Sequence, residues 1–309
     1  MREKKQRTIC FPATFRGHLA RQKLLLDELR KDFAIDIFEP RMSKEDGMSA
    51  YSIACAVEFD NYLQDKQYDC ILIRGDRYEM LPLTMVAAYK EFKIVHIEGG
   101  DLSGAIDNKV RHAITQLSDY HFCTNEESHQ RLIRNGVPTD RVWNFGSLDV
   151  EFAMSILKEK STKSPYTFVA YHPIEGEDEE QMTEALKDYN VVSVVSNSDY
   201  GRVYGEETYT PEEYINLMRN ARCIVGNSSS LLKEASILGT PVVLVGDRQH
   251  KRLLPKNVLQ VPCEKETIKR AIEFQSGRYF KPDTTYYQSN TSRKIATKLK
   301  EVLIGNENQ

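Results

Sequence analysis

The chain has 309 residues, enough for about two domains and a large core, and its formal net charge of −3 leaves no one-signed field to attract nucleic acid or an anionic membrane. No apolar run approaches the length of a membrane span, and the charged start MREKKQR leads into a short strand rather than a signal-peptide core, so a cytoplasmic protein is expected. Its six cysteines are scattered without a C-x-x-C pair and its seven histidines are equally dispersed, which reads as buried free thiols, with no metal site and no cofactor expected.

Strand-like apolar runs alternate with helix-like stretches along the whole chain, the pattern of parallel sheets covered by crossover helices. The expected class is α/β, with two doubly wound, Rossmann-like parallel-sheet domains facing each other across a cleft. In the first half, strands are expected at Thr8–Phe11, Ile35–Phe38, Cys70–Ile73, Ile94–Ile97, Tyr120–Cys123 and Val142–Phe145, with helices such as Ala20–Arg30 and Glu79–Phe92 between them. A short helix and the polar run Glu159–Pro165 then suit a boundary, which puts the domains at 1–150 and 151–290. In the second half, strands are expected at Phe168–Tyr171, Val191–Val195, Cys223–Val225, Val242–Val245 and Val258–Val261. Thr210-Pro211-Glu212-Glu213 marks a helix start with an N-cap, a proline at the first helical position and a reciprocal glutamate.

Parallel sheets gather their ligands at the carboxyl ends of strands. Asp76 follows the run Ile71-Leu72-Ile73 after Arg74 and Gly75, and Glu98 follows Ile94–Ile97 at the point where Gly99-Gly100 lets the backbone turn. Asp107 opens a helix whose next turn carries Arg111 and His112, so a carboxylate and a guanidinium share one helical face. Blandly, Asp76 caps the following helix and Glu98 is a salt-bridged rim acid. Taken with Asp107 and Arg111 they make three acids and a base, a set that packing does not need and catalysis does. His172 ends the first strand of the second half, with Pro173 turning the chain, while His18, His121, His129 and His250 lack such a context and read as structural or solvated. Gly226-Asn227-Ser228-Ser229-Ser230 follows a strand and is expected to open a helix over Leu231–Leu238, where hydroxyls and free N–H groups would hold an anion. Its bland reading is a serine-capped helix.

Eight short motifs occur in one order: Gly75-Asp76-Arg77-Tyr78-Glu79, His96-Ile97-Glu98-Gly99-Gly100, Arg111-His112-Ala113-Ile114-Thr115, Gly146-Ser147-Leu148, His172-Pro173, Ser196-Asn197-Ser198-Asp199, Gly226–Ser230 and Gly246-Asp247-Arg248-Gln249. Over roughly residues 68–262 this series resembles the hydrolysing UDP-N-acetylglucosamine 2-epimerases. The resemblance implies a GT-B fold, with residues 291–309 as a final helix (about Ser292–Ile304) packing back on the first domain, and a homodimer or homotetramer. It implies loss of the C2 proton and of UDP to give a glycal, then addition of water with the opposite configuration at C2. By position it makes Asp76, Glu98 and Asp107 the catalytic acids, supported by Arg111 and His172. It puts the nucleotide sugar on Thr14, Arg16, Asn197, Asn227, Ser228, Ser229, Ser230 and Arg248, with Glu234 on the ribose hydroxyls.

The chain departs from the family in three places. Arg16 falls one position later than the family's arginine, Leu231 stands where a small residue is usual, and one helix is missing before Thr210. Two other readings stay open: a GT-B glycosyltransferase, which shares the fold, the phosphate turn and the ribose glutamate, and a non-catalytic nucleotide-sugar sensor. Three clustered acids favour the epimerase, because a transferase needs an acceptor site instead.

Overall fold

The computed structural model describes residues 6–14, 16–41, 47–104, 106–157, 164–174, 179–195, 205 and 207–305. Strands β1 (Thr8–Pro12), β2 (Ala34–Phe38), β3 (Cys70–Arg74), β4 (Ile94–Ile97), β5 (Tyr120–Cys123) and β6 (Val142–Asn144) form one parallel sheet in the order β2-β1-β3-β4-β5-β6. Strands β7 (Thr167–Ala170), β8 (Val191–Ser193), β9 (Cys223–Gly226), β10 (Val242–Val245) and β11 (Val258–Val261) form a second, in the order β11-β10-β9-β7-β8. The helices are α1 (Arg16–Leu29), α2 (Met48–Tyr62), α3 (Met80–Tyr89), α4 (Asp107–Leu117), α5 (Glu126–Arg134), α6 (Leu148–Ile156), α7 (Glu179–Leu186), α8 (Pro211–Asn220), α9 (Glu234–Leu238), α10 (Lys265–Gln275) and α11 (Thr291–Ile304). The chain divides into two compact units, Met1–Asp101 with Ile106–Glu151 and Gln288–Gln309, and Leu102–Ala105 with Phe152–Tyr287.

In the first unit the strands read as continuous apolar runs because both sheet faces are covered. Successive side chains alternate between two cores. Ile9, Phe11, Leu72 and Val95 pack with Leu25 and Leu29 of α1 and with Ile295 and Leu299 of α11. Cys10, Ile71 and Ile73 face the other way, onto Phe59 of α2, Leu83 of α3 and Ile114 of α4. The last helix is fixed at its start, where Thr291 Oγ1 donates to Phe145 O at 2.7 Å and Ser292 N to Glu151 Oε2 at 2.9 Å. α1 begins four residues earlier than its periodicity suggests, since the apolar spacing starts only at Leu19.

One surface of this unit is unusual. α3 carries no charged residue, and its Met85 and Tyr89 are exposed, as are Ile53 and Val57 on the neighbouring α2. A helix apolar all round is normally covered.

The second unit is built the same way, with Val169, Val225, Val243 and Val245 packed against Met182 of α7 and Ile268 and Ile272 of α10. α8 starts with the expected capping box between Thr210 and Glu213. Among the described residues no helix is long and apolar enough to cross a membrane. Five cysteines are buried and Cys263 is half-buried, short of the full burial expected for all six. Burial, with the Asp36 charge nearby, pushes the Cys10 thiol up to about 12, so it stays protonated.

Candidate active site

β3 and β4 are neighbours in register, Arg74 opposite Ile97, so the residues that leave them emerge at adjacent strand ends. Gly75, with φ +78°, turns the chain there and donates its N–H to Ile97 O at 3.0 Å. Glu98 sits in the left-handed region at φ 71°, a conformation that costs a non-glycine residue on the order of 1 kcal/mol and marks sites where structure serves function. Its N–H donates to Phe122 O at 2.8 Å, and its carboxylate pairs with Arg74 Nη2 at 3.0 Å. The salt-bridge part of the bland reading is therefore present, together with strain that a rim acid does not need.

Asp76 does not cap α3, which begins only at Met80, because the chain first makes a turn at residues 77–79. Its carboxylate instead pairs directly with Arg111 of α4. Arg111 is 1% exposed and also donates to Asp101 O at 2.8 Å and to Asn108 Oδ1 at 3.4 Å. Asp101 is itself anchored by Thr124, Asn125 and Ser128 at 3.2, 3.1 and 2.5 Å. Asp107 is the first residue of α4 and half-buried, a position where the helix dipole favours its negative charge. The first unit thus brings Asp76, Glu98 and Arg111 to the carboxyl end of its sheet, with Asp107 opening the helix that carries Arg111.

Several residues here escaped the sequence reading. Arg74, 4% exposed, pairs with Asp149 of α6 at 2.7 Å as well as with Glu98. Gln22 of α1 is fully buried, and its amide, oriented to satisfy the network, accepts from Arg74 Nε at 2.9 Å. An arginine directly after the apolar run Cys70–Ile73 and directly before Gly-Asp was the available signal. Thr14 lies buried after β1, and its Oγ1 has no partner among the described residues. The Arg16 side chain lies outside the described residues.

His96 is buried beneath this site, with Nε2 3.0 Å from Gly75 O and Nδ1 3.2 Å from Thr115 Oγ1. Burial pushes it down to about 4, against weaker opposing pulls from Gly75 and Glu98. Burial likewise pushes His121 down to about 3. The unfolded chain binds protons at these sites near pH 6.5 while the folded chain does not, so stability is complete above that pH and falls as pH drops toward 4. Urea unfolding at stepped pH should show a loss of at most about 1.4 kcal/mol per pH unit for each histidine. Thr115 and Gly75 can bond an amide in place of the ring, so His96→Gln should flatten the slope, and an unchanged slope would place its origin elsewhere.

In the second unit the corresponding strand ends are those of β7, β9 and β10. Asn227 follows β9 and is 0% exposed. Its Oδ1 accepts from His172 N at 2.7 Å and its Nδ2 donates to His172 O at 2.8 Å. Its own carbonyl accepts from Gln249 Nε2 at 2.8 Å and Arg248 Nη1 at 3.2 Å. The asparagine amide is therefore spent on the His172 backbone, and the buried Gln249, which the sequence reading quoted within a motif but gave no role, supports it from the loop after β10.

The expected helix Leu231–Leu238 is not continuous. Residues Ser229–Leu231 form a 3₁₀ turn and α9 spans only Glu234–Leu238. Serine hydroxyls compete with the helical ladder: Ser228 Oγ accepts from Ser230 N at 3.4 Å, and Ser230 Oγ bonds Tyr214 Oη at 2.6 Å. Ser228 and Ser229 stay partly exposed, whereas Leu231 and Glu234 are buried. Gly226, with φ +145°, lets β9 pass close to β7: a Cβ there would lie 2.1 Å from Ala170 O. Asn197 lies outside the described residues.

Residues 17–300 match the family model described as UDP-N-acetylglucosamine 2-epimerase. A Campylobacter jejuni protein named GDP/UDP-N,N'-diacetylbacillosamine 2-epimerase (hydrolyzing) is 28% identical over 302 residues, covering 84% of this chain and 77% of its own. A Legionella pneumophila UDP-N,N'-diacetylbacillosamine 2-epimerase (hydrolyzing) is 29% identical over 280 residues, 79% of this chain and 74% of its own. Among solved structures, the Methanocaldococcus jannaschii UDP-GlcNAc 2-epimerase in complex with UDP-GlcNAc and UDP shares the GT-B fold, with a TM-score of 0.78 at 15% identity over 94% of this chain and 99% of that one.

Proposed function

The chain belongs to the UDP-N-acetylglucosamine 2-epimerase family, and from that premise we propose that it is a hydrolysing epimerase, converting a UDP-linked 2-acetamido sugar to UDP and the free 2-epimer. The observation that carries the reading is Glu98, held in a left-handed conformation beside the Asp76–Arg111 pair at adjacent strand ends. Relatives whose names carry the word hydrolyzing support it.

In this mechanism a carboxylate of the first unit takes the C2 proton, the electron pair of that bond forms the C1–C2 double bond, and the C1–O bond breaks with UDP leaving. A second acid then protonates C2 on the opposite face while water, giving up its proton, adds to C1. Asp76, Glu98 and Asp107 divide these transfers, since carboxyl groups in unlike environments can hold different protonation states. Arg111 supplies a buried cation for the developing negative charge. In the second unit, Ser228 and Ser229 hold phosphate, Glu234 the ribose hydroxyls, and His172 and Arg248 the diphosphate, with Asn227 fixing the His172 backbone.

Reaction in heavy, ¹⁸O-labelled water tests this directly. The released sugar should carry deuterium at C2 and labelled oxygen at C1, both read by NMR and mass spectrometry. A sugar that keeps protium at C2 would reject the epimerase and leave a transferase, and no release at all would leave a sensor.

The uncharged α3 and the adjoining Ile53 and Val57 also support a homodimer in which a second copy covers this face. Sedimentation should show a dimer that Tyr89→Glu and Val57→Glu together convert to monomer. A dimer untouched by both changes would place the interface elsewhere.

A further inference from the structure

Glu98 sits in a charge arrangement that neither the family match nor the motif reading assigns. Arg74 stands between two carboxylates, 3.0 Å from Glu98 and 2.7 Å from Asp149, and Gln22 occupies its Nε side. Its guanidinium is a rigid planar fork, and its side chain is buried, so its donors are held in fixed directions. We propose that Arg74 is a positioning residue that holds Glu98 as an ionised carboxylate in one orientation, and that Asp149 sets how strongly Arg74 does so. The proposal rests on the reading of Glu98 as a participant in the chemistry.

Three features lead there. Glu98 is already in a strained backbone conformation, so its side-chain direction depends on what grips the carboxylate. An opposite charge at this distance favours the ionised form. Burial works against the charge on Arg74, but Asp149 and Glu98 more than offset it and its pKa is raised, so the cation is permanent. Asp149 competes for the same Nη2, and it is tied to α1 through Arg21 at 3.8 Å. Other charged or titratable groups on the surrounding elements include His96 on β4, Asp76 after β3, Asp107, Lys109, Arg111 and His112 on α4, Glu151 on α6 and Arg21 on α1. His96 stays neutral until about pH 4 and so adds no charge above that.

Loss of the Arg74 charge and loss of the Asp149 charge should therefore move Glu98 in opposite directions, which a merely structural role would not do. UDP release from the UDP-sugar would be followed across the acid range for the wild type, Arg74→Gln, Arg74→Lys and Asp149→Asn. Arg74→Gln should raise the acid limb of kcat by about one pH unit or more, with kcat lowered roughly tenfold or more and KM within about threefold. Asp149→Asn should lower that limb, and Arg74→Lys, which keeps the charge without the fork, should stay near the wild type in limb position while losing kcat. Limbs that do not move, or that move the same way in Arg74→Gln and Asp149→Asn, would overturn the proposal. Should circular dichroism show Arg74→Gln unfolded, Arg74→Lys and Asp149→Asn decide alone: a limb unmoved by Asp149→Asn overturns it. Glu98→Gln separates the two levels. Its full activity would overturn the role of Glu98 and this proposal with it, whereas an inactive Glu98→Gln beside unmoved limbs overturns only the part played by Arg74.

Discussion

Glu98→Gln, Asp76→Asn and Asp107→Asn should each lower UDP release by about two orders of magnitude or more, the size of a lost proton transfer. Their stabilities should differ, and that difference is informative. Asp107 is half-buried at a helix start, so its neutral replacement loses a dipole interaction of roughly 0.3–1 kcal/mol. Asp76 is the counter-charge of the buried Arg111, and Asp76→Asn should lose part of the roughly 3–5 kcal/mol that breaking a fully buried pair costs. The loss is partial because the Asp76 side chain remains 25% exposed. Glu98→Gln leaves Arg74 with Asp149, and removal of the carboxylate charge should be tolerated by the fold. Steady-state turnover with denaturant unfolding on the same samples checks both. Near-normal turnover in any one variant would remove that acid from the mechanism.

Gly226→Ala is expected to have the larger effect on stability. Its Cβ would meet the Ala170 carbonyl at 2.1 Å, backbone against backbone, at a φ that side chains rarely adopt. Strain and overpacking together should destabilise the second unit by about 2–5 kcal/mol. The change sits one residue before Asn227, so the clamp on His172 and the serine turn would shift with it. Calorimetry should show UDP affinity lost and differential scanning a lower midpoint. Unchanged affinity would mean that UDP does not use the turn after β9.

The sheets were legible in the chain because buried parallel strands are short, apolar and β-branched, and every expected strand is present, with ends within two residues. Strand order and register were not legible, since they depend on pairings distant in the chain. Glu98 and Asp76 could be singled out because each directly follows such a run. Arg74 was missed because an ionised side chain at the end of a buried strand becomes interpretable only once Asp149, 75 residues later, is seen beside it. The break of the expected helix after Ser230 was hidden for a related reason. A serine cap and a serine that leaves the helical ladder look alike until the hydroxyl's partner, here Tyr214, is known.

The clamp on His172 has one more implication. The Asn227 side chain bonds the main-chain N and O of that residue. The clamp itself is therefore indifferent to which side chain stands at position 172, and what it fixes is the place from which a side chain projects. A change of side chain there leaves these two main-chain bonds in place. In the divergence of related enzymes toward other nucleotide sugars, or in deliberate redesign, position 172 is a site where new side chains can be tried while the clamp stays the same.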